Sequence, residues 1–161
     1  HKPHAVCIVP ERREERTTEG GLNVAQDENK LAHFIAPLRE AGSRVSIFIA
    51  ADKSQIESAN RIGAQVIELH TGAYCDAHAE GDFATRDREL AAMTEMAAFA
   101  HDLGLEVHAG HGLTYEDVRA VAALPQVQEV NIGHFIIGEA VFRGLGPAIQ
   151  EMRRILDEVR G

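Results

Sequence analysis

Apolar positions along this chain change their spacing in a regular alternation. Short runs in which apolar residues crowd together or alternate occur at residues 5–9, 44–50, 65–70, 105–109 and 127–132, and their β-branched content predicts strands. Between them lie stretches with apolar residues three and four apart, at 28–41, 54–62, 85–103, 114–123 and 146–159. That spacing predicts helices; Val118, Val121 and Ala122, for example, share one helix face. Gly42, Gly63 and Gly104 each fall just past the last periodic residue, where a helix ends in a left-handed cap. Asp52 and Thr114 stand where an N-cap is needed.

Strands alternating with helices of this length predict βαβ units and a parallel sheet. No low-complexity linker interrupts the pattern, so residues 1–161 read as a single domain. Five strands suit either a small doubly wound sheet or part of a closed barrel. The first strand begins almost at residue 1, as if a sheet continued before it. A parallel sheet must be covered on both faces or closed on itself, so the expectation is a partial barrel whose remaining strands lie outside this sequence.

Composition narrows the function classes. Hydrophobic residues make up 45% and charged residues 25%, which predicts a soluble globular protein. No apolar run reaches the roughly 18 residues a membrane helix needs, and His1-Lys2-Pro3-His4 lacks the layout of a signal peptide. A net charge of −9 argues against nucleic-acid binding, which requires a dense basic face. It leaves small phosphorylated ligands open, because backbone N–H groups at helix N-termini hold phosphate without net positive charge. Cys7, in an apolar run, and Cys75, in a loop-like stretch, do not suggest a disulfide, so the cytoplasm is the expected location.

In α/β folds the active site gathers at the C-terminal ends of the strands. Here those ends read Val9-Pro10-Glu11, Ala50-Ala51-Asp52, Glu68-Leu69-His70-Thr71-Gly72, His108-Ala109-Gly110-His111-Gly112 and Asn131-Ile132-Gly133-His134. An acid or a histidine stands at every one. Strand alternation places Ile67 and Leu69 on one face and Glu68 and His70 on the other. It likewise separates Val107 and Ala109 from Glu106 and His108, and Val130 and Ile132 from Glu129 and Asn131. The polar sets are expected inside the barrel, with histidines and arginines as partners for the carboxylates. Glycines after the last two strands let backbone N–H groups approach a phosphate, and a histidine beside them can move protons near neutral pH. The mixed-charge segment 12–21 ends in Thr17-Thr18-Glu19-Gly20-Gly21, a composition suited to a mobile active-site loop. Nine histidines raise the question of zinc, but no ligand spacing such as HExxH occurs, and no metal is expected. Schiff-base catalysis through lysine is disfavoured, since Lys2, Lys30 and Lys53 all lie outside the predicted strands. Cys7 reads as a packed strand residue.

Taken together, Val9-Pro10-Glu11 with Thr17-Thr18-Glu19-Gly20-Gly21, Ile67 through Gly72, Ala109 through Tyr115, and Asn131 through His134 resemble the pyridoxine 5'-phosphate synthase family. The similarity runs through the chain to Glu151-Met152-Arg153-Arg154. The resemblance implies an α/β fold, a (β/α)8 TIM barrel of which this chain supplies roughly the last five βα units. It implies condensation of 1-deoxy-D-xylulose 5-phosphate with 3-amino-2-oxopropyl phosphate to pyridoxine 5'-phosphate, phosphate and water, with no cofactor and with a homo-octamer as the assembly. His111 matches the family's proton-transferring histidine, and Glu68 a carboxylate that stabilises transition states. Gly112 and Thr17 match substrate contacts, while Gly133 and His134 match the product-phosphate site. The family's first three strands, with further catalytic groups, have no counterpart here. The alternatives are therefore a catalytically incomplete phosphate-binding half-barrel that needs an N-terminal partner, and another phosphate-binding barrel lyase or isomerase.

Overall fold

The five apolar runs become five strands laid side by side in chain order. A computed structural model describes residues 1–10 and 20–161. Within them β1 (Ala5–Ile8), β2 (Arg44–Ile49), β3 (Val66–His70), β4 (Glu106–Gly110) and β5 (Val127–Asn131) form one sheet in the order 1-2-3-4-5. Every neighbouring pair is parallel. Consecutive parallel strands joined by helical crossovers are the βαβ arrangement the alternation predicted, and the architecture is that of part of a (β/α)8 barrel.

Alternation sorts the two faces of the sheet. Val45, Ile47, Ile49, Ile67, Leu69, Val107 and Ala109 are buried in one continuous core. Against them pack Leu31 and Ile35 of α1 (Val24–Glu40), Ile56 and Ala59 of α2 (Lys53–Ile62), and Met93 and Ala97 of α4 (Phe83–Asp102). Val118 and Val121 of α5 (Val118–Ala122) and Met152 and Ile155 of α7 (Leu145–Arg160) extend this core. The other face is polar. Strand registers set Phe48, Glu68, His108 and Glu129 level across β2 to β5, and His70, Gly110 and Asn131 level one layer higher. A register shift between Val107 and His108 brings Glu129, rather than Gln128, opposite His108.

The lower part of that face holds the expected pairing of carboxylates with arginine and histidine. Arg44 Nη1 donates to both carboxylate oxygens of Glu106 at 2.8 and 2.9 Å. His108 Nε2 lies 2.7 Å from Glu106 Oε1, and His108 Nδ1 lies 3.3 Å from Glu129 Oε1. The bond with His108, then the Arg44 guanidinium, hold the Glu106 carboxyl below its ordinary range. Glu106 opens β4 and Arg44 opens β2, so this network sits at the end of the sheet away from the strand C-termini.

Three expectations need correction. Two helices arise where the periodicity predicted none: α3 (Gly72–Glu80) and α6 (His134–Arg143). The α3 segment carries no apolar stripe, and α6 follows β5 directly, with Gly133 where a capping side chain would mark its start. Thr114 caps the turn that leads into α5, as expected: its hydroxyl accepts from the Glu116 and Asp117 N–H groups at 3.2 and 3.3 Å, and its carbonyl accepts from the Val118 N–H at 3.1 Å. Cys7 is not packed in the core: it lies on the polar face, exposed, its thiol directed at Glu68 Oε2 at 3.5 Å. Cys75 lies within α3 and is buried, not in a loop.

Candidate functional site

Five of the six residues singled out from sequence converge. Glu68 in the middle of β3, His111 and Gly112 after β4, and Gly133 and His134 after β5 all line one cavity of about 530 Å³ toward the C-terminal ends of the strands. Thr17 lies outside the described residues. Phe48 and Asn131 complete the wall beside them. Phe48 gave no signal in the sequence, since it stands among apolar neighbours in β2. Asn131 shares the polar parity of Glu68, which was the available clue.

Glu68 is 9% exposed and accepts a hydrogen bond from Asn131 Nδ2 at 3.1 Å. Burial raises its carboxyl above the usual range, with Cys7, His108 and Asn131 pulling the other way. A carboxyl in that setting can hold a proton and release it to a ligand. Gly110 makes the space it occupies: a Cβ there would stand 2.3 Å from Glu68 Oε1.

His111 turns the chain out of β4 with φ of 83°, the single non-glycine residue with positive φ among those described. Such a conformation costs an L-residue about 1–2 kcal/mol and needs surrounding structure to hold it. The His111 ring packs 4.9 Å from that of His70, and Phe48 meets His70 edge-on at 5.2 Å. Burial, then the neighbouring His111, depress His70 to about 4, so His70 is a neutral wall behind His111 rather than a charged partner. The loop beyond His111 is tied down twice. Asp117, 4% exposed, bonds to Thr114 Oγ1 at 2.6 Å and to His78 Nδ1 of α3. Tyr115 donates to the Ala148 carbonyl at 3.0 Å and stacks edge-on against Phe135 at 4.7 Å, which couples the loop to α6 and α7.

On the opposite wall Gly133 precedes α6 with no side chain capping the helix. Its first-turn N–H groups are left for an anion or solvent, beside the exposed His134. Burial pushes the Cys75 thiol up to about 12, which disfavours the thiolate that nucleophilic chemistry needs. No group of three or more potential metal ligands occurs among the described residues. No helix among them is long and apolar enough to cross a membrane.

The site is thus a cleft offering a buried carboxyl, an imidazole on a constrained turn, and glycine-lined backbone at two adjacent strand ends. Relatives of this chain are named for one activity. A Ruegeria pomeroyi protein named pyridoxine 5'-phosphate synthase is 80% identical over 160 residues, which cover 99% of this chain and 64% of that protein. Proteins of the same name from Roseobacter denitrificans and a Jannaschia species are 76% and 66% identical over the same coverage. The chain therefore spans about 64% of the length of these curated relatives. The family described as pyridoxal phosphate biosynthesis protein PdxJ matches residues 1–158, and the chain belongs to that family.

Proposed function

We propose that this chain carries much of the active site of a pyridoxine 5'-phosphate synthase, joining 1-deoxy-D-xylulose 5-phosphate to 3-amino-2-oxopropyl phosphate in a barrel completed by an N-terminal segment. The observation that carries the reading is the convergence of Glu68, His111, Gly112, Gly133 and His134 on one cavity. Schiff-base formation, dehydration and ring closure each require protons to move on and off oxygen or nitrogen. His111 gives a proton to the departing hydroxyl or phosphate and takes one back. Glu68 stabilises the transition states of these steps. Backbone N–H groups at Gly112 hold the phosphate of the aminoketone, while Gly133 and His134, at the start of α6, hold the product phosphate. Thr17 contributes from the segment after β1. The working protein is a cytoplasmic homo-oligomer, an octamer by resemblance.

Steady-state and single-turnover kinetics on the full-length protein test this. His111→Asn should lower turnover by about 10²–10⁴-fold, the usual loss for a general acid–base group, with substrate affinity changed much less. His70→Asn should cost less, because His70 supports the ring of His111. Near-full turnover in His111→Asn, with activity abolished in His70→Asn, would overturn the assignment. No product from these two substrates would overturn the function and favour a half-barrel that only binds phosphate.

A further inference from the structure

Thr71 is fully buried and occupies the N-cap position of α3, where a threonine hydroxyl ordinarily accepts a hydrogen bond from the first helical turn. It makes no such bond. The hydroxyl turns toward the neighbouring strand instead, where it meets the Gly110 carbonyl at 2.8 Å and the His111 carbonyl. The Thr71 backbone N–H also donates to the Gly110 carbonyl, at 2.9 Å. These two carbonyls belong to the planar peptide groups on either side of the His111 Cα. Holding both planes fixes both soft torsions of that residue, and it is His111 whose φ is 83°. Gly72 leaves the room that this geometry needs. A Cβ there would stand 2.6 Å from the His70 ring and 3.1 Å from His111 Cδ2.

We propose that Thr71 is a positioning residue: its hydroxyl locks the left-handed backbone of His111 and so aims the imidazole into the cavity. The inference rests on the reading that His111 transfers protons. It explains why a helix-capping residue leaves its own helix uncapped. Other donors near the His111 carbonyl are weak, the Cys75 thiol approaching it at 3.8 Å. Valine fills the volume of threonine and keeps the backbone N–H bond to the Gly110 carbonyl, but its side chain donates nothing, so the His111 carbonyl would lose its hydroxyl tie without loss of packing.

The test is kinetic and uses the full-length protein. Thr71→Val and Thr71→Ser are each made in the natural sequence and in the His111→Asn background. Thr71→Val should lower kcat by about 10- to 100-fold, as misplacement of a reacting group by about an ångström does, with KM changed much less. Thr71→Ser keeps the hydroxyl and should keep most of the activity. In the His111→Asn background Thr71→Val should cause no further loss, because the residue it positions is already gone. Should valine prevent folding, Thr71→Ala carries the same comparison. Equal losses in both backgrounds would mean general loosening and overturn the proposal. Undiminished kcat in Thr71→Val, beside an impaired His111→Asn, would overturn it while leaving the functional reading intact. Full turnover in His111→Asn would overturn both.

Discussion

At the scale of single residues, the cleft is organised by burial acting oppositely on an acid and a base. His70 is held down to about 4, first by burial and then by His111. The unfolded chain takes up a proton at His70 below about 6.5, whereas the folded chain resists until about 4. Stability from this residue is therefore complete above the upper value and lost as the pH falls through that window. Glu68 works in the other sense. Its raised carboxyl pKa means that stability falls as the pH rises past the ordinary 4.5. Replacing His70 with Gln in the full-length protein should flatten the fall in stability between about 6.5 and 4, measured by denaturant unfolding at a series of pH values. An unchanged slope would show that His70 titrates normally in the folded state.

Among the elements, α2 and α4 begin on conventional caps, whereas α3 and α6 do not. Asp52 Oδ1 accepts from the Gln55 N–H at 3.1 Å and from Ser54 Oγ at 2.5 Å. Asp82 does the same for α4, accepting from the Thr85 N–H at 3.0 Å. Asp52→Ala should lower unfolding stability by about 1 kcal/mol, the ordinary loss of an N-cap, without affecting turnover. A shift in the denaturant midpoint with unchanged slope is the expected signature. The contrast with Thr71 is informative: the same position at the start of α3 serves the adjacent strand end instead of its own helix.

For the whole molecule, the sheet among the described residues ends in strands that pair on one side only, β1 and β5. Its polar face, with Arg44, Glu106, His108 and Glu129, is arranged as a barrel interior rather than as a solvated surface. Along α6, Ile137, Val141 and Phe142 are 61, 77 and 87% exposed. Unpaired edges and a contiguous apolar helix face invite association. The 161-residue chain expressed alone should therefore self-associate, or bind a hydrophobic dye with loosened tertiary packing. Sedimentation, dye binding and near-UV circular dichroism would check this, and a monodisperse monomer with one sharp unfolding transition would contradict it.

Much of this was determined by the sequence itself. Strand positions, the helices α1, α2, α4, α5 and α7 and the polar parity of Glu68, His108 and Asn131 follow from periodicity, which depends only on local geometry. The clustering of Glu68, His111, Gly112, Gly133 and His134 was legible because a parallel sheet brings all strand C-termini to one edge. Tertiary structure alone decided the rest. Helix α3 lacks a one-sided stripe, so its helicity is set by what it packs against and not by pattern. The left-handed turn at His111 and its tie to Thr71 join residues 40 apart in sequence. No local rule predicts that pairing, because a hydroxyl at an N-cap has a nearer partner in its own helix and leaves it only when the adjacent strand end presents two carbonyls.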